Sequence, residues 1–218
     1  GIQPGTSYTK REHDTRKPDS ILPTYRAFRH CRDSNESLLI PGEVKDALRR
    51  LNPAATEDQV QRAYTTLTRP RSTNVMAENK EALGYMSTGI PVEMKAPDGT
   101  QRIRNLHVIS ADPTQNTYLA AQQVPVSSGE RSYRLDIVMY CNGLPIGIIE
   151  LKDQDKNLSE AYNQMATYQR EIPQAFTYNV VTIMGQTHEA RYGTIGTPFS
   201  HTAQWNYDSD GVETPNGT

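Results

Sequence analysis

The sequence has almost no cysteine. Cys31 and Cys141 stand far apart, without a CxxC pair, which excludes a disulfide framework or structural zinc site and points to a reducing compartment. No apolar run approaches the roughly 18 to 20 residues of a membrane span, and the opening GIQPGTSYTKREHDTRK has no hydrophobic stretch of signal-peptide type. A soluble, cytoplasmic protein without membrane partners is expected. There is no G-x-x-x-x-G-K-[ST] phosphate loop, so the chain should not bind ATP by itself. Surplus positive charge is lacking too: 23 Lys and Arg face 25 Asp and Glu, a net charge of -2. That argues against holding nucleic acid by bulk charge alone and leaves room for a local DNA site. Apolar residues make up only 35% of the 218, below the usual ~45 to 50%, so polar appendages should surround the core. Gly1 in place of Met and the polar end NYDSDGVETPNGT suggest a segment of a longer chain.

What is present falls into three parts. Residues 1–37 mix charge, Pro and Ser without a sustained period and read as irregular, apart from a short turn around Ala27 to Cys31. Residues 38–207 read as one domain, with a helical part over 41–87 and a sheet core over 90–207; residues 208–218 form a polar tail. Val44, Ala47, Leu48 and Leu51 fall at i, i+3, i+4, i+7, an amphipathic helix with Pro41 in its first turn. Thr56 and Gln59 make a capping box for a second helix carrying Val60, Ala63, Tyr64 and Leu67 and closed by Pro70. A third is expected over Ala77 to Met86, stopping at Gly89, followed by a hairpin turning at Asp98-Gly99. Strands are expected over Thr117 to Val126, Tyr133 to Cys141 and Leu144 to Leu151, then a helix marked by Leu158, Ala161, Tyr162, Met165 and Ile172, then a strand over Tyr178 to Met184. Both faces of Tyr133 to Cys141 are mostly apolar, so that strand should be central and covered twice.

Asp136, Glu150 and Lys152 carry the candidate chemistry. Phosphodiester hydrolysis needs a cation to neutralise developing charge and to make water nucleophilic, and Mg²⁺ takes carboxylate and carbonyl oxygens. Two acids from adjacent strands can hold it, and a lysine two residues beyond Glu150 points to the same face. Leu151 between them is expected to face the core while its backbone carbonyl completes the metal shell. The bare E-x-K string is weak evidence, because it also occurs at Glu43/Lys45, Glu78/Lys80 and Glu93/Lys95. Those three lie on helices or in a short hairpin; only Glu150/Lys152 ends an apolar strand preceded by one bearing an aspartate. An ordinary solvated strand end would look the same. Gln164 and Tyr168, spaced i, i+4 on the following helix, could reach a phosphate or brace the lysine, or be a boundary residue and a core aromatic.

Register sharpens the question. Asn142-Gly143 reads as a two-residue type I′ turn, which pairs Cys141 with Leu144 and sets Asp136 opposite Ile149, one residue short of Glu150. A metal site therefore requires one extra residue in the hairpin, through a longer loop or a bulge near Pro145 or Gly147.

The strings YRLDIVMYCNGLPIGIIELK, NLSEAYNQMATYQREIPQAFTYN and ARYGT, with Trp205 beyond, closely resemble the amino-terminal nuclease domain of the type I restriction enzyme R (motor) subunit, from near Leu39 to about Gly211. The resemblance implies a PD-(D/E)xK fold of the RecB-like branch, a central mixed sheet flanked by helices, α-β-β-β-α-β at its core. It maps Asp136 and Glu150 onto the metal-binding acids, Lys152 onto the catalytic lysine, and Gln164 and Tyr168 onto the Q-x-x-x-Y pair. Gln123 matches a family glutamine in the strand before the first acid, as a DNA-binding or site-bracing residue. Arg191 lies in the A-R-x-G stretch, where it could contact DNA or form a structural salt bridge. Leu135 stands where the family usually has Pro, and residues 1–20 lack the period of the acid-bearing helix with which members often start. The resemblance further implies a Mg²⁺-dependent endonuclease, with Mn²⁺ substituting, acting on double-stranded DNA. ATP serves only a motor region that this chain lacks, and separate methylation and specificity subunits complete the complex. A non-catalytic docking module coupling that motor to its partners, or a free-standing repair nuclease, are the competing readings.

Overall fold

The computed structural model describes residues 32, 34–95, 99–187 and 189–206. The turn expected over residues 27–31, an acid-bearing helix in 1–20, the tip residue Asp98 and the tail over 208–218 lie outside the described residues.

Three helices come first. Helix α1 (Pro41–Leu51) buries Val44, Ala47 and Leu48, the stripe its spacing dictates. Helix α2 (Glu57–Thr68) starts at the Thr56–Gln59 capping box. Helix α3 (Val75–Thr88) is capped by the Asn74 side chain on the Met76 and Ala77 N–H groups, and it stops at Gly89 with φ +87°. It is longer than expected from the sequence at both ends. With the antiparallel pair β1 (Ile90–Lys95) and β2 (Gln101–Leu106), these helices enclose one core that includes Val44, Leu48, Val60, Leu67, Ile90 and Leu106.

The second part is a mixed six-stranded sheet in the order β3-β4-β5-β6-β7-β8. Strands β3 (Tyr118–Ser128), β4 (Arg131–Cys141) and β5 (Leu144–Leu151) form an antiparallel meander. Helix α4 (Leu158–Glu171) then crosses to β6 (Val181–Gly185), which is parallel to β5. A parallel pair needs such a crossover, because its strands start at the same end of the sheet. The inward stripe of α4, Leu158, Ala161, Met165 and Tyr168, is buried, and Met165 and Tyr168 meet Val138, Tyr140 and Ile148 in the second core.

The structure corrects the sequence reading in three places. The last expected strand begins at Val181, not Tyr178, because Pro173–Phe176 forms a 3-10 turn and Tyr178 turns inward, its hydroxyl donating to the Leu67 carbonyl at 3.0 Å. The sheet also continues through β7 (Ala190–Gly193) and β8 (Ala203–Gln204), which are too short to declare themselves by alternation. Finally, β4 is fully covered on one face only. The row Ile137, Ile149, Ile183 and Tyr192 runs across the other face, half-buried to exposed and outside the buried core clusters.

The hairpin joining β4 to β5 fixes where everything else sits. Asn142 and Gly143 have φ of +50° and +80°, the left-handed pair that a type I′ turn demands. Asn142 is fully buried, donating to the Val108 carbonyl and accepting the Thr117 N–H, both at 2.8 Å. The Gly143 carbonyl accepts the Ile40 N–H at 3.0 Å, which docks the start of α1 onto the turn.

Candidate active site

The turn pairs Cys141 with Leu144 and Tyr140 with Pro145, but the next pair is Met139 with Gly147. Ile146 is therefore an extra residue, a β-bulge that moves the register by one. The pairs that follow are Val138 with Ile148 and Ile137 with Ile149, so the next positions, Asp136 and Glu150, stand opposite each other. Gly147 beside the bulge leaves room for the Met139 methyl, which lies 2.3 Å from where a Cβ would be and would have to swing aside for any larger residue.

Beyond Ile137 and Ile149 the two strands part. The Leu151 N–H, which would otherwise seek a carbonyl on β4, donates to Asp136 Oδ2 at 2.9 Å. Asp136 Oδ1 accepts from Gln123 Nε2 at 3.1 Å. Gln123 has φ +53°, a left-handed conformation that costs a non-glycine residue about 1 to 2 kcal/mol. The pleat reverses at that level. Inward residues are Leu119 and Ala121 before it and Val124 and Val126 after it on β3, and Leu135 before it and Val138 and Tyr140 after it on β4. The two-residue alternation of a regular strand thus fails at Asp136 on β4.

Glu150 is 1% exposed, and its Oε1 accepts from Lys152 Nζ at 2.7 Å. Its Oε2 is buried without a hydrogen-bond partner. Lys152 Nζ also donates to Gln164 Oε1, Gln164 Nε2 donates to the Tyr168 hydroxyl, and that hydroxyl donates to the Arg134 carbonyl at 3.3 Å. The i, i+4 pair on α4 is therefore a strut between the lysine and β4. Burial pushes the Glu150 carboxyl above the usual carboxylate range, opposed by the hydrogen bond from Lys152 and reinforced by the charge of Asp136. Burial also drives the Tyr168 hydroxyl up to about 12, so it is a neutral donor at physiological pH.

A pH dependence follows. A carboxyl whose folded pKa lies above its unfolded value binds protons more readily in the folded state, so stability falls as pH rises from the unfolded value through the folded one. In chelator-treated protein, Glu150→Gln should therefore be more stable than the parent at pH 8 and indistinguishable from it near pH 3, as read by urea denaturation at both pH values. An unchanged or lower midpoint at pH 8 would contradict the desolvated carboxylate.

Asp136, Glu150, Lys152, Gln164, Tyr168 and Gln123 thus come together. Arg191 does not join them. It pairs with Glu189 at 2.9 Å and lies over the Phe199 ring at 5.4 Å, the structural salt bridge that the sequence allowed. Leu151 departs from expectation: it is 47% exposed, not core-facing, and its contribution visible in the structure is the N–H given to Asp136. That amide and the Arg134 carbonyl were missed because backbone groups leave no side-chain signal. Two of the other E-x-K pairs are engaged elsewhere: Glu78 accepts the Arg71 and Ser72 N–H groups, and Lys45 lies over the Tyr64 ring.

Among the described residues no three or more His, Cys, Asp or Glu side chains converge. Two acids at adjacent positions on neighbouring strands, one with a buried, unpartnered oxygen, nevertheless suit a hard divalent cation that keeps several waters, as Mg²⁺ does. The described residues also contain no helix long and apolar enough to cross a membrane.

A family model described as the type I restriction enzyme R protein N terminus matches residues 9–201. The chain is 26% identical over 189 residues to the type I restriction enzyme HindI endonuclease subunit of Haemophilus influenzae. It is also 26% identical over 188 residues to a protein of Methanocaldococcus jannaschii named as the type I restriction enzyme MjaIXP endonuclease subunit. Each alignment takes in 84% of this chain and 18% of the relative, so the chain spans about a fifth of the length of the curated relatives it matches.

Proposed function

This chain belongs to the family of type I restriction enzyme R protein N termini, and from that premise we propose that it is a divalent-cation-dependent endonuclease unit hydrolysing phosphodiester bonds of double-stranded DNA. The observation that carries the reading is the Ile146 bulge, which brings Asp136 opposite Glu150 beside Lys152. No structural need of the hairpin explains it, since a regular two-residue turn would close without the extra residue.

Asp136 and Glu150 would hold Mg²⁺, or Mn²⁺ in its place, with the Leu151 carbonyl as a further oxygen ligand. The ion would supply charge neutralisation at the phosphate and a lowered pKa for water. Lys152 offers its ammonium to the scissile phosphate, where negative charge accumulates as the nucleophile attacks. Gln164, anchored through Tyr168 to β4, fixes the direction of that ammonium, so little reorganisation is needed when DNA arrives. We further propose that the chain acts within a complex in which ATP serves a separate motor region and other subunits, for methylation and specificity, select the site. A domain delivered to DNA by such partners can do without a basic surface, in keeping with the net charge of -2.

The test pairs two measurements on Asp136→Asn. Calorimetric titration of the 218-residue chain with Mn²⁺ should show a site in the parent that weakens at least about tenfold in the variant, one ligand charge being lost. Cleavage of circular double-stranded DNA by the complete complex carrying the variant should fall about 100-fold or more, with ATP hydrolysis retained. Full cleavage in the variant complex would leave the domain as a docking module.

A further inference from the structure

We propose that Gln123 is a positioning residue, held in a left-handed backbone conformation so that its side chain fixes the carboxylate of Asp136 in the gap where β4 and β5 separate. The proposal rests on the nuclease reading only for the use to which that carboxylate is put. Its geometry is independent.

Three observations meet at one level of the sheet. Gln123 alone among the described strand residues other than glycine has a positive φ. The pairs Gln122 with Ile137 and Val124 with Leu135 flank it, yet the pair between, Gln123 with Asp136, is not part of the ladder. On both strands the inward-facing set changes parity there. A single residue out of the extended region therefore reverses the pleat on β3, and β4 follows without losing register. A strained conformation persists only where its surroundings over-determine it, and such sites concentrate where geometry serves function. Here the reversal lets the Gln123 amide reach Asp136 Oδ1 while Oδ2 takes the Leu151 N–H. The carboxylate is gripped from β3 and β5 at once. An aspartate on a regular strand would have neither contact.

Glycine is the residue that a positive φ prefers, and it has no side chain to reach Asp136. Stability and placement should therefore move in opposite directions in Gln123→Gly. A residue that merely packs the strand would lose both. Asn tolerates the same backbone but is one methylene too short to keep the bond, so Gln123→Asn separates reach from conformation.

The experiment uses the ¹⁵N-labelled 218-residue chain. Urea denaturation, the Leu151 amide proton and Mn²⁺ titration are compared in the parent, Gln123→Gly and Gln123→Asn. The Gly variant is expected to have a higher denaturation midpoint. In both variants the Leu151 amide should move upfield and exchange about tenfold faster, and Mn²⁺ affinity should fall about tenfold. A Gly variant of lower midpoint whose Leu151 amide and Mn²⁺ affinity match the parent would overturn the proposal, as would an Asn variant matching the parent in both. If the parent itself shows no Mn²⁺ site sensitive to Asp136→Asn, the nuclease reading fails, and the Leu151 amide still decides whether Gln123 positions the carboxylate.

Discussion

Replacing Lys152 by Gln should lower DNA cleavage by the complete complex about 100-fold or more while the chain stays folded and still binds Mn²⁺. Removing one preorganised group that stabilises developing charge costs a hydrolytic enzyme roughly 100- to 1000-fold, and among the described residues no second ammonium is paired with Glu150. The choice of Gln over Ala matters. Lys152 is the hydrogen-bond donor of a carboxylate that is 1% exposed, and an alanine would strand a buried charge, a change that costs about 3 to 5 kcal/mol when a buried ion pair is broken. Loss of activity in Lys152→Ala would then report on folding as much as on chemistry. Gln removes the charge but leaves a polar amide, one methylene short of the ammonium position, beside Glu150 and Gln164. Cleavage within a fewfold of the parent would take the lysine out of the reaction.

The second large effect is on stability and lies roughly 20 Å along the strands from the acids, which are seven residues away on either side at a rise of about 3.3 Å per residue. Gly143→Ala should destabilise the chain by about 2 to 5 kcal/mol. A Cβ on Gly143 would stand 2.7 Å from both the Ile40 carbonyl oxygen and the Glu43 Cβ, and relieving such contacts costs about 1 to 3 kcal/mol. The φ of +80° adds about 1 to 2 kcal/mol for any residue with a Cβ. Gly99 is the control, because its φ is +83° but nothing lies within 4 Å of its Cβ position. Gly99→Ala should lose about 1 to 2 kcal/mol only. Equal losses by urea denaturation would show that the clash with α1 contributes nothing, and that the helical part is not seated on the turn as described. The consequence reaches the site, because the same turn sets the count from which the bulge places Asp136 opposite Glu150.

The elements written in local code were legible. The α1 and α2 stripes, the Thr56 capping box and the Asn142-Gly143 turn each depend on residues a few positions apart, and the structure forms them where spacing requires. The need for an odd residue in the hairpin was legible too, because strand period and turn length leave no other way to face Asp136 toward Glu150. Its place near Pro145 or Gly147 was legible as well; that the extra residue is Ile146, between them, is fixed only by the cross-strand pairing of Tyr140 with Pro145 and Met139 with Gly147. The short strands β7 and β8 escaped notice because four and two residues carry no period.

Sequence alone determined the inventory: two acids, a lysine and a glutamine-tyrosine pair, on elements whose type follows from local propensity. Tertiary structure decided how they are used. It left Leu151 exposed and gave its amide to Asp136, joined Lys152 to Gln164 and Tyr168, and reversed the pleat at Gln123. The physical reason is that side-chain spacing along a chain encodes which face a residue takes, whereas burial, strand separation and backbone partners arise only when distant segments pack.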